Sequence, residues 1–161
     1  MRRLFCAGLA LALCGAVRGD VVRPAPNFQI VAVAKGASLR SYRGRTVVLL
    51  VTRSARDKRF RAEVYRLRQM YAQFSNEKVI FVAAIENGAQ EVQSDIPFVV
   101  SANPQQVAAD YGVHGPFGIA VIGVDGNLDL ITDKVIAAER VRDIGFNNFE
   151  SQAAQRKPLA Q

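Results

Sequence analysis

Three apolar runs organise the chain: "TVVLLV" (46–51), "VIFVAAI" (79–85) and "GIAVIGV" (118–124). The first two are unbroken rather than alternating, the pattern of strands buried on both faces. Between them Phe60, Val64, Leu67, Tyr71 and Phe74 recur at spacings of four, three, four and three, which is one apolar face of a helix. Ser54 or Asp57 can cap its start, and Ser75-Asn76 ends it. Asn103-Pro104 opens a second helix, with Gly112 placed as its C-terminal stop. The third apolar run and "NLDLIT" flank Asp125-Gly126-Asn127, a strong hairpin signal. A last helix is predicted over 136–152, using Ile136, Val141, Ile144 and Phe149.

The remaining segments fill in the order. Pro24 and Pro26 make an extended lead-in, and Phe28, Ile30 and Ala32 alternate with Gln29, Val31 and Val33 as a short strand. Lys35-Gly36 reads as a turn, and "IPFVV" (96–100) as another short strand after the polar "ENGAQEVQSD". Helices alternate with central strands and a hairpin follows. That order predicts an α/β fold: a mixed central sheet with a C-terminal β-hairpin and helices on both faces.

The first 19 residues stand apart. Arg2 and Arg3, an apolar stretch from Leu4 to Leu13 and small residues after it form the pattern of a secretory signal peptide. Leu13 before Cys14 does not suit a lipoprotein signal. The expected divisions are a signal peptide over 1–19, one domain over 20–152 and a flexible tail over 153–161. The expected location is periplasmic or secreted. Cys6 and Cys14 both lie in the leader, so the processed chain would hold no cysteine and no thiol mechanism. Arg2, Arg3 and Arg18 leave with it while all 14 acids stay, which takes the net charge from +7 to +4. That charge is ordinary for solubility and implies no nucleic-acid partner. No apolar run reaches the roughly 20 residues of a membrane span.

Candidate chemistry concentrates where the first run meets the first helix. Arg53, Arg56, Lys58, Arg59 and Arg61 crowd the helix start, where free N–H groups also favour anions. They could bind a phosphate, an acidic glycan or an acidic protein partner. The plainer reading is a solvated rim, with Asp57 and Glu63 balancing part of the charge. His114 is the only histidine and has no partners at metal-ligand spacing. Asp57 and Glu63 are six apart on one helix and do not share a face, so they do not read as paired catalytic carboxylates. "GVDGNLD" does not meet the EF-hand pattern. Tyr42, Tyr65 and Tyr71 are expected in the core. No metal or cofactor is expected.

Several strings together resemble the thioredoxin-like superfamily, in its peroxiredoxin (alkyl hydroperoxide reductase/thiol-specific antioxidant) or periplasmic thiol:disulfide reductase branch. "RPAPNFQI…SLRSYRGRTVVLLV" is similar to that group's opening segment, "FRAEVYRL" to the Cys-Arg-Ala-Glu start of its active-site helix, and "AADYGVHGPFGIAVIGVDGNL" to its Tyr-Gly-Val…Pro…Asp-Gly segment. The likeness spans most of Pro24 to Gly145. It implies a thioredoxin-like fold and puts Asp57 and Phe60 where the family has the two cysteines of Cys-x-x-Cys. It puts Phe117 at the family's cis-proline position, with Pro116 one residue earlier and its isomer open. The resemblance therefore implies a protein with no catalytic residues for thiol chemistry. The expected role is a binding or interaction module, using the basic turn with His114, Pro116 and Phe117. The alternatives are a non-thiol enzyme built on Asp57, His114 and the arginines, or a structural or assembly subunit.

Overall fold

The computed structural model describes residues 23–31, 37–75, 79–87, 92 and 94–146. The leader, the Lys35-Gly36 turn, and everything after Phe146, Phe149 and the tail included, lie outside the described residues. In chain order the elements are β1 (Arg23–Pro24), β2 (Ile30–Val31), a 3₁₀ turn (Leu39–Tyr42), β3 (Val47–Thr52), α1 (Lys58–Gln69), α2 (Tyr71–Ser75), β4 (Ile80–Ile85), β5 (Phe98–Ser101), α3 (Pro104–Asp110), β6 (Phe117–Ile122), β7 (Asn127–Thr132) and α4 (Ala138–Phe146).

The strands form one seven-stranded sheet in the order β1-β7-β6-β3-β4-β5-β2. β3, β4 and β5 are parallel, and β6 runs antiparallel to β3. The apolar runs thus take the centre, where both faces are covered. Side chains alternate along them as a pleated strand requires. Val48, Leu50, Phe81, Ala83, Phe117 and Ile119 point to the face packed by α1, α2 and α4. Val47, Leu49, Val51, Val82, Ala84 and Ala120 point to the face packed by α3, Phe28 and Leu39. Phe81 meets Phe74 edge-on with ring centroids 5.7 Å apart, a favoured aromatic geometry.

The hairpin joins β6 to β7 through Gly126, whose φ of 85° suits a residue without a Cβ. Asp125 Oδ1 accepts the Asn127 N–H at 2.9 Å within that turn. The Tyr111 hydroxyl donates to the Pro26 carbonyl (2.9 Å), tying the proline-rich lead-in to α3. At the opposite end α4 approaches β3 closely: the Thr46 hydroxyl donates to the Gly145 carbonyl at 2.9 Å. A Cβ on Gly145 would stand 2.6 Å from Thr46 Cγ2.

Two local expectations are corrected and a third is extended. The first helix is not continuous to Phe74, because Met70 leaves helical geometry and separates α1 from α2. The last helix begins at Ala138 rather than Ile136, and the Ile136 N–H ahead of it donates to Glu63. Arg23–Pro24 adds an edge strand, on a ladder position that tolerates proline.

Candidate functional site

The site is assembled at the C-terminal end of β3. The β3–β6 register sets Thr52 opposite Phe117, so the chain leaving β3 runs beside the chain entering β6. The Arg53 N–H donates to the Pro116 carbonyl at 3.2 Å, and the Thr52 hydroxyl donates to the same carbonyl at 3.0 Å. The Arg53 guanidinium reaches further and donates through Nη2 to the His114 carbonyl at 3.1 Å. Arg53, His114 and Pro116, distant in sequence, are therefore one cluster. No peptide bond among the described residues is cis, so Gly115–Pro116 is trans.

Phe117 does not join them at the surface. It is fully buried in the core between sheet and helices, because the alternation of β6 turns it inward. This corrects the expectation that it faces a partner. Phe60, at the second cysteine position of the resemblance, is likewise a core residue, 2% exposed.

Asp57 is occupied by a structural task. Its Oδ1 accepts the N–H groups of Arg59 (2.8 Å) and Phe60 (3.1 Å), and its carbonyl accepts that of Arg61 (3.0 Å). Those first-turn donors, which the sequence offers to an anion, are already satisfied. The chemistry left at the helix start belongs chiefly to side chains.

Those side chains are cationic and face water on two flanks. Arg59 leans towards the β7–α4 connection, with Nη1 3.4 Å from the Asp133 carbonyl. Arg56, Lys58, Arg61 and Arg68 line the other flank with Ala55, Phe60, Val64 and Tyr65, facing Val92 and Ser94. This is an open groove of about 820 Å³. Among the described residues only Arg68 of these cations is in an ion pair, to Asp95 at 2.8 Å.

Glu63 cannot balance them as the sequence suggests. It is fully buried, and its Oε2 accepts the Ile136 N–H at 2.9 Å. Burial pushes its carboxyl up to about 7, against the opposing pull of the Ile136 N–H and of Arg66. Tyr65, expected in the core, is 61% exposed at the groove's rim, since it lies off the apolar face that Phe60, Val64 and Leu67 share. Tyr65, Arg68 and the wall formed by Val92 and Ser94 were not singled out by the sequence. The helical offset of Tyr65 from Phe60 was the available signal for the first, and nothing local pointed to the last.

Among the described residues no group of three or more His, Cys, Asp or Glu side chains is placed to hold a metal ion. His114 is exposed, and Asp57 is committed to its cap. No helix among them is long and apolar enough to cross a membrane.

With this geometry in view, the fold is thioredoxin-like. A protein designated the thiol:disulfide interchange protein DsbE of Chlorobium tepidum superposes with a TM-score of 0.60 at 21% identity, covering 83% of this chain and 95% of that one. Thioredoxin peroxidase I of Plasmodium yoelii gives 0.60 at 14% identity, covering 87% and 95%. A thioredoxin-family thiol:disulfide interchange protein of Chlorobium tepidum gives 0.59 at 15%, covering 78% and 97%. At these identities the likeness is one of fold. No protein-family model and no curated protein matches the sequence.

Proposed function

We propose that this is an exported thioredoxin-like protein without thiol redox activity, working as a binding module that holds an anionic partner on the basic face of α1. One observation carries the reading. α1 presents Lys58, Arg59, Arg61 and Arg66 to solvent with no ion pair among the described residues, Arg68 pairs with Asp95, and the two acids nearest in sequence are engaged elsewhere, Asp57 in its cap and Glu63 in the core. Uncompensated cations at a helix N-terminus also oppose the macrodipole, a cost of a few tenths of a kcal/mol or more each that an anionic partner relieves.

The fold neighbours include proteins named for thiol–disulfide interchange and peroxidase activity. That chemistry needs a sulfur nucleophile. This chain has no cysteine after Cys14, and an aspartate held by two N–H groups is no substitute. Export rests on the basic, apolar and small-residue pattern of the first 19 residues. The test is quantitative capture from the exported fraction by the wild type and by the Arg56→Ala/Lys58→Ala/Arg59→Ala variant. The reading predicts specific partners lost with the triple variant. Recovery of the same proteins in the same amounts overturns it.

A further inference from the structure

The two flanks of α1 differ in what they offer. The flank towards α4 is closed: Glu63 is bonded to Ile136 and Arg59 reaches Asp133. The flank towards Val92 is the open groove, with an apolar floor and cationic walls. We propose that this groove takes an extended acidic peptide segment of a protein partner. One apolar side chain of the peptide seats against Val64 and Val92, and flanking carboxylates pair with Arg56, Lys58 and Arg61. This rests on the basic face of α1 being a binding surface, and it adds the flank and the chemistry of the occupant.

Charge complementarity is the first support. The side chains of Arg56, Lys58 and Arg61 make no hydrogen bond or ion pair among the described residues, and all are exposed. At the end of the same flank Arg68 holds a carboxylate, Asp95, at 2.8 Å. Length is the second support. The 12 residues of α1 extend about 18 Å at 1.5 Å per residue, which an extended peptide covers with about five residues. The floor is the third. A small inorganic anion would use the cations and leave Val64, Val92 and the exposed ring of Tyr65 unused, whereas a peptide with an apolar anchor uses both.

The experiment titrates the purified chain into the fluorescein-labelled peptide Glu-Asp-Glu-Phe-Glu-Asp-Glu and follows anisotropy. A second peptide carries serine for the phenylalanine, and a heparin hexasaccharide serves as a non-peptide polyanion. Arg61→Glu and Val92→Asp alter the groove, and Arg53→Glu alters the turn beside His114. All three sites are exposed or half-buried, and circular dichroism checks that the variants fold. The phenylalanine peptide should bind and lose about tenfold in affinity, equivalent to about 1.4 kcal/mol, on Arg61→Glu. Val92→Asp and the serine peptide should each lose roughly fivefold, and Arg53→Glu less than about twofold. Equal binding of the two peptides, equal damage from Arg53→Glu and Arg61→Glu, or binding of heparin without peptide overturns the groove and leaves a basic binding surface standing. Binding of neither peptide nor heparin overturns both.

Discussion

The carboxylate of Glu63, fully buried in α1, accepts the Ile136 N–H through Oε2 at 2.9 Å, while Oε1 has no hydrogen-bond partner among the described residues. One contact joins α1 to the start of α4 and removes the only acid of α1 from its surface. A single neutral donor and the charge of Arg66 do not replace the hydration of a full charge.

The native carboxyl sits near 7 against 4.5 ordinarily, so the native state keeps a proton that the unfolded chain releases. Stability from this group is greatest below 4.5, falls as pH rises towards 7, and is level above that. The full loss is about 3 kcal/mol. In Glu63→Gln the amide oxygen still accepts the Ile136 N–H and the charge is gone. Unfolding free energies from urea titrations should fall less between about pH 4.5 and 8 for Glu63→Gln than for the wild type, by that amount. Parallel pH profiles for the two would show that Glu63 is ionised in the folded protein.

Asp57 is predicted to act through its cap. Asp57→Ala should cost about 1–2 kcal/mol, and Asp57→Asn much less, because asparagine also caps. Chemical denaturation of both variants checks this, and equal losses would point to the charge rather than the cap.

Phe60 tests how far the turn has become core. Phe60→Ala should destabilise by about 3–5 kcal/mol, since a buried ring leaves a cavity. Tyr65→Ala, on the exposed rim, should stay within about 0.5 kcal/mol. Similar losses at the two positions would contradict the orientation assigned to α1.

The Thr46–Gly145 approach predicts coupling. Gly145→Ala puts a methyl 2.6 Å from Thr46 Cγ2 and should cost about 1–3 kcal/mol. Thr46→Ser removes that methyl and keeps the hydroxyl bonded to the Gly145 carbonyl. A double-mutant cycle should recover a good part of the loss, and strict additivity would mean that α4 lies elsewhere.

Most of the fold was legible because the strands that form its centre are long, β-branched and apolar, and because Asp57, Pro104 and Gly126 mark element ends chemically. What escaped is tertiary. The helical period runs on through Met70, so no pattern announces the break there. Ile136 fits the last helix by period, yet its N–H is taken by a carboxylate from α1, and the helix starts two residues later. At the candidate site the arginines were readable, but burial of Glu63 and Phe117 was not. A charged helix residue is normally exposed, and Phe117 lies next to the polar turn that suggested a surface role. The groove was hidden for a simpler reason: its second wall, Val92 and Ser94, comes from a segment far along the chain.

The proposed reading is a thioredoxin-like fold without thiol chemistry. Its most direct test is turnover, measured as dithiothreitol-driven insulin reduction and as peroxide consumption, by the chain carrying Cys6→Ser and Cys14→Ser. Rates should equal the uncatalysed background in both assays. Catalysed turnover by that cysteine-free chain, in either one, would contradict it.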